Sequence, residues 1–268
     1  MDSKRIFLSA DIEGTAGIVH WDETEYGKNG YEYFRRQMTR EVAAACEGAR
    51  EGGADEIVIK DAHDSARNIL PDELPQGVKL FRGWAKHPYC MMYGLDETFD
   101  GVFLTGYHSP AGTSANPLSH TMSTHIQLCL LNGEVCPEAM INSLTAAMLG
   151  VPVLLLTGDK GLCDWMREKN PHIETVAVNE GTGSGAMSLH PADAARLIRE
   201  AAARAMAKDP AKCMFPMPER FLLEVSYVRH ADAHSASFYP GARLSDPKTV
   251  SFETDSWMEA LRFIHFTM

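Results

Sequence analysis

Asp11, Glu13, His63 and His108 each stand just past a short apolar run. The runs are Ile6-Phe7-Leu8 in "RIFLSADIEG", Ile57-Val58-Ile59 in "EIVIKDAHDS" and Val102-Phe103-Leu104 in "GVFLTGYHSP". Carboxylates mixed with imidazoles, with no cysteine among them, form a donor set that suits zinc or manganese. A spacing of two puts Asp11 and Glu13 on the same side of an extended segment. Two acids so close are costly to bury unless a cation balances them. Each position alone has a plain structural explanation, since an acid after a strand often caps a helix and a lone histidine is more often structural. Their coincidence at three strand ends favours a site.

Continuous rather than alternating hydrophobicity suits strands covered on both faces, as in a parallel sheet. A fourth run, "VPVLLLTGDKG", has the same form and ends in Asp159. Helical patterns lie between the runs. Phe34, Met38, Val42, Ala45 and Ala49 recur at three- and four-residue steps and lead to Gly52-Gly53, a C-cap signal. "CPEAMINSLTAAMLG" places Pro137 at the first helical position, and residues 191–208 form another helix. The alternation predicts an α/β fold with a mostly parallel sheet flanked by helices. In such sheets ligands bind beyond the carboxyl ends of the strands, where the four residues fall.

One segment departs from this plan. "HIQLCLLNGEVC" alternates apolar residues around Asn132-Gly133, which predicts an antiparallel β-hairpin inserted before the Pro137 helix. Farther on, "NEGTGSGAMSLHP" is glycine-rich but lacks the Gly-Lys-Ser/Thr ending of a phosphate loop, and is expected to be a mobile connection. It divides a metal-binding core, residues 1–180, from a smaller C-terminal α+β lobe, residues 181–268, packed on it as a single functional unit. In that lobe the pattern predicts strands over 221–228 and 249–252 and a closing helix from Ser256.

The formal charge of −11 repels nucleic acid and anionic membranes, so neither is an expected partner. An acidic cavity would favour metal ions or substrates with a free amine. Six scattered cysteines, with no C-x-x-C pair, argue for reduced thiols and a cytoplasmic setting. No apolar run is long enough to span a bilayer, and the chain enters a strand too early for a signal peptide.

Other residues carry less. Glu138 in the first turn of a helix is favourable with the helix dipole alone. His120, in the polar loop "PLSHTMSTH", is as readily a surface residue as a catalytic one. Asp61 could orient His63 as an outer acceptor. His230 and His234 have metal-like spacing but are expected in an exposed loop, Met91-Met92 reads as core filler, and neither Trp84 nor Trp165 marks a cofactor box. Counting Glu138, the donors are too many for one zinc with an open position and suit two metals sharing a carboxylate.

"SADIEGTAGI", "KDAHDS", "LTGYHSP", "LSHTM", "PEAMINS" and "VPVLLLTGD" occur in the order, and near the spacing, of the dinuclear-zinc D-aminopeptidases, bacterial metallopeptidases associated with dipeptide transport operons. "YPGARL" and "VSFETDSWMEAL" extend the resemblance nearly to the end of the chain. It implies Asp11 as the metal bridge, Glu13, His63, His108 and Glu138 as further ligands, and His120 as the catalytic histidine. The expected division sets Glu13 and His108 on one metal, His63 and Glu138 on the other. It also implies two zinc ions per subunit, replaceable by manganese or cobalt. Short D-amino-acid-containing di- and tripeptides with a free N-terminus would be the substrates, and a ring-shaped homo-oligomer, a decamer by that resemblance, the assembly. The loop from His108 to His120 is longer than the family pattern and "NEGTGSG" replaces a more basic stretch, which bears on specificity rather than on the ligands.

Two other functions fit the same donors. A dinuclear phosphoesterase would use such a cluster, but phosphate sites usually add arginine or lysine, and only Lys60 and Arg67 lie near. A non-catalytic metal- or peptide-binding protein would keep the cluster for structure, although structural zinc sites are usually closed and cysteine-rich.

Overall fold

The computed structural model describes residues 3–268. In chain order the first part contains β1 (Arg5–Ala10), α1 (Tyr31–Glu51), β2 (Glu56–Asp61), β3 (Lys79–Phe81), β4 (Gly101–Tyr107), β5 (Ile126–Leu131), β6 (Glu134–Val135) and α2 (Glu138–Met148). It continues with β7 (Val153–Asp159), α3 (Lys160–Lys169), β8 (Glu174–Thr182), β9 (Gly185–Ser188), α4 (Pro191–Ala205) and α5 (Pro210–Cys213). The last part holds β10 (Phe221–Tyr227), α6 (His230–Ala236), β11 (Arg243–Asp246), β12 (Thr249–Thr254) and α7 (Trp257–Thr267).

The main sheet has the order β3-β2-β1-β4-β7-β8-β9 and is parallel except for β9. Every residue of β4 and β7 is buried, so side chains pointing either way are covered. This is why those strands read as unbroken apolar runs. Helices α1 and α4 pack on each other and on this sheet, while α2 lies against β4 and α3 against β7 and β8. At the α1–α4 contact a Cβ on Gly48 would meet the Arg199 carbonyl oxygen at 2.1 Å, so only glycine permits the approach. The fold is α/β, as the sequence predicts.

A second, antiparallel sheet runs β11-β12-β10-β5-β6. Strand β10 alternates buried and half-buried residues, the pattern of a sheet with one face packed. Its core joins Leu223 and Val225 to Trp257, Leu261 and Phe263 of α7. The Trp257 indole N–H donates to Thr145 Oγ1 of α2 at 3.1 Å, tying this layer to the first. The predicted hairpin is present: Asn132 and Gly133 have φ of 53° and 82°, both positive, as a tight two-residue turn between twisted strands requires.

Three local expectations change. Residues 179–188, expected to be a mobile connection, lie in β8 and β9 and extend the main sheet as an antiparallel hairpin, turning at Gly183 with φ 58°. Pro137 is the N-cap of α2 rather than its first helical residue. His230 and His234 sit on the short helix α6 instead of a loop, exposed as expected.

Candidate metal centre

The carboxyl ends of β1, β2 and β4 lie side by side, since β1 pairs with both of the others. Asp11 follows β1 directly, His63 comes two residues after β2 and His108 directly after β4. The segment after β1 is pinned across β4 by hydrogen bonds from the Asp11 N–H to the Thr105 carbonyl and from the Gly14 N–H to the Gly106 carbonyl, both 2.8 Å. A Cβ on Gly14 would stand 1.8 Å from the Tyr107 carbonyl oxygen, so the crossing is open only to glycine.

All six expected residues meet there. His63 Nδ1 lies 3.3 Å from Asp11 Oδ1 and 3.1 Å from Glu13 Oε2. His108 Nε2 lies 3.4 Å from Asp11 Oδ2 and 3.5 Å from Glu138 Oε1. His120 Nε2 lies 3.8 Å from Glu13 Oε1 and 3.6 Å from Glu138 Oε1. Two donor triads result, Asp11–Glu13–His63 and Asp11–His108–Glu138, joined by the two oxygens of Asp11; a third combines Glu13, His108 and His120. The shortest distances set Glu13 beside His63 and Glu138 beside His108, while the third triad also brings Glu13 together with His108, the pair expected on one metal. Glu138 reaches the cluster because the hairpin returns the chain to it, and its Oε1 accepts the Met122 N–H at 2.6 Å.

Each imidazole has its other nitrogen committed to a backbone carbonyl. His63 Nε2 donates to Thr24, His108 Nδ1 to Ser109 and His120 Nδ1 to Leu118, at 3.0, 3.0 and 2.9 Å. A carbonyl only accepts, so these nitrogens carry the hydrogen and the facing nitrogens are left bare in the neutral ring. This is how metal-ligating histidines are usually oriented. Sequence reasoning found none of the three carbonyls, because a backbone acceptor has no side-chain signature. Asp61, expected to orient His63, does something else: its carboxylate accepts the Asn68 and Ile69 N–H groups and the Asn68 amide, bracing the loop that carries His63.

The donors fit a cation. Asp11, Glu13 and His108 are at most 3% exposed, and Asp11 Oδ2, Glu13 Oε2 and His108 Nε2 have no hydrogen-bond partner. Unpartnered buried polar atoms are expensive unless something binds them. Among themselves the groups share charge strongly. Burial opposes ionisation throughout, yet the Glu13 and Asp11 carboxylates raise the His63 pKa well above its usual value. Burial is likewise overcome at His108, which Glu138 and Asp11 raise. Against the same burial, His108 and His63 hold Asp11 far below the carboxylate range, and His108 draws Glu138 down. A cleft lined by Trp21, Glu25, Asp64, Trp84, Cys90 and Met122 opens onto the cluster. Trp21 and the His120 ring meet in a T-shaped contact, centroids 5.1 Å apart.

Known proteins share this architecture. The D-aminopeptidase family model matches residues 4–266. A D-aminopeptidase of Bacillus subtilis (strain 168) is 31% identical over 259 residues, covering 96% of this chain and 93% of that protein. The solved structure of the Zn-dependent D-aminopeptidase DppA from Bacillus subtilis, described as a self-compartmentalizing protease, matches with a TM-score of 0.90 at 28% identity. That match covers 98% of this chain and 96% of the other. With ligand-type side chains converging at the carboxyl ends of the strands and a match running from residue 4 to 266, the chain belongs to the D-aminopeptidase family of metallopeptidases.

Proposed function

We propose that the chain hydrolyses short peptides with a free N-terminus, D-amino-acid-containing di- and tripeptides among them, using two zinc ions per subunit. The observation that carries this reading is Asp11, whose two oxygens face separate donor sets. Glu13 and His63 would complete one site, His108 and Glu138 the other. When bound, such a pair supplies an acidified water and a cationic anchor for a carbonyl oxygen.

The protein's own groups supply the rest. His120 presents its bare Nε2 to the cluster, 3.6 Å from Glu138 and 3.8 Å from Glu13, while Nδ1–H is held by Leu118. It is placed to take a proton from the attacking oxygen and deliver it to the leaving amine nitrogen. Trp21 and the stacked His108 restrict the ring to that orientation. Glu25 and Asp64 at the mouth of the cleft offer negative charge to a substrate ammonium.

The test pairs metal analysis of the purified protein with hydrolysis of D-Ala-D-Ala, L-Ala-L-Ala and N-blocked forms of each. Roughly two zinc-type ions per chain and turnover only with a free amine are expected. Turnover of p-nitrophenyl phosphate with none on any peptide would overturn the reading.

The same proposal extends to the setting. Six free thiols, five of them buried, suit a reducing cytoplasm. Exposed Phe238, Phe266 and Met187 suit burial in a ring-shaped homo-oligomer. Residues 1–180 and 181–268 would act as one unit.

A further inference from the structure

Asp159, the last residue of β7, is fully buried and makes no ion pair with any described residue, yet its carboxylate accepts four hydrogen bonds. Oδ1 accepts the Ser109 hydroxyl at 2.6 Å and the Leu162 N–H at 2.9 Å. Oδ2 accepts the Ser109 N–H at 2.6 Å and the Asn116 amide at 3.2 Å. The Leu162 bond is the N-cap of α3 and needs only one oxygen lone pair. The other three bonds all go to the loop between His108 and His120.

That loop conveys them to the site. The Ser109 carbonyl is the acceptor for His108 Nδ1. Asn116 Oδ1 accepts the Leu118 N–H at 2.8 Å, and the Leu118 carbonyl is in turn the acceptor for His120 Nδ1. The Asn116 amide also donates to the Glu13 carbonyl at 3.2 Å. A single buried carboxylate therefore reaches His108, His120 and the backbone of Glu13 through one intervening residue or two. Three bonds to this loop, shared between both oxygens, tie it at more points than helix capping demands.

We propose that Asp159 is a positioning residue of the reaction: through Ser109 it aims His108, and through Asn116 and Leu118 it aims His120. This rests on the reading of His120 and His108 given above. Asp159 touches neither substrate nor metal.

Two variants test it beside His120→Ala. Asp159→Ser keeps a capping oxygen for α3 but withdraws the reach to Asn116, and Asn116→Ala leaves that cap untouched. Asp159→Ser should weaken zinc binding to the apoprotein, measured by titration calorimetry, about 10- to 100-fold, with a similar loss of kcat. Asn116→Ala should lower kcat of the zinc-saturated enzyme by about 10-fold or more while KM stays put. If both variants keep wild-type zinc affinity and kcat, with at most a lowered Tm, Asp159 is a helix cap only and the proposal falls. If Asp159→Ser does not fold, the kcat of Asn116→Ala decides. Should His120→Ala retain full activity, the assignment of His120 falls and the Asn116 arm with it. Should His120→Ala be inactive while Asp159→Ser and Asn116→Ala are unaffected, the positioning proposal alone is overturned.

Discussion

His108 and His120 lie face to face, ring centroids 4.1 Å apart and planes 9° from parallel, with the same Glu138 oxygen 3.5 Å from one Nε2 and 3.6 Å from the other. Two imidazolium rings stacked in this way would repel each other. A bound cation would hold one ring neutral as a ligand and leave the other to exchange a proton. His108, the more buried, suits the first task, and His120, beside the open cleft, the second.

Replacing His120 with alanine should therefore leave metal content unchanged and lower kcat by ~10²–10⁴. Metal analysis alongside steady-state kinetics checks both halves. A variant that loses an ion would make His120 a ligand.

Asp11 offers one oxygen to each triad, so its removal should cost more metal than removal of a single-sided ligand. Asp11→Ala is expected to bind almost no zinc, whereas Glu13→Ala and Glu138→Ala should each retain roughly one ion. Equilibrium dialysis against limiting zinc separates these outcomes.

Glu41 supplies a pH dependence away from the centre. Burial raises its pKa to about 7 from 4.5, against the opposing hydrogen bonds from the Ala16 N–H and the Gln37 amide. The folded protein keeps this proton between about pH 4.5 and 7 while the unfolded chain has released it. Its contribution to stability is thus complete below about pH 4.5 and lost as pH rises through about 7. The loss is on the order of 3 kcal/mol. Urea denaturation of the apoprotein across this range should show a steeper downward slope than in Glu41→Gln, and equal slopes would refute the assignment.

Gly14→Ala is expected to disturb the centre from the backbone. Its Cβ would fall 1.8 Å from the Tyr107 carbonyl, so either the segment carrying Asp11 and Glu13 or the end of β4 must shift. The expected result is more than ~1 kcal/mol of destabilisation together with weakened zinc binding. Unfolding and metal titration of the same preparation would measure both.

Much of this was legible in the chain. Asp11, Glu13, His63 and His108 follow strands whose unbroken hydrophobicity announces a parallel sheet, and parallel sheets gather ligands at one edge. Glu138 and His120 were not legible from local chemistry, because their placement depends on a hairpin in a different sheet and on a loop; the family resemblance brought them in. The direction of each imidazole was not legible either, since it is set by the backbone carbonyl its other nitrogen finds. Asp61 shows the same limit: it stands two residues before His63, yet its partners are the Asn68 and Ile69 N–H groups and the Asn68 amide rather than the imidazole. The β8–β9 hairpin was hidden by its glycines, which signal a turn without saying that both flanks pair.

The entry of α2 directly from β6 has a consequence for how the molecule responds to metal. Strand β6 belongs to the antiparallel layer, Glu138 opens α2, and Trp257 of the closing helix bonds to Thr145 on that same helix. An ion gripped by His108 and Glu138 would act as a clip between the two layers, although nothing after Glu138 coordinates it. Chelation should accordingly quicken amide hydrogen exchange in residues 221–267, far along the chain from any donor atom, as well as at the centre itself.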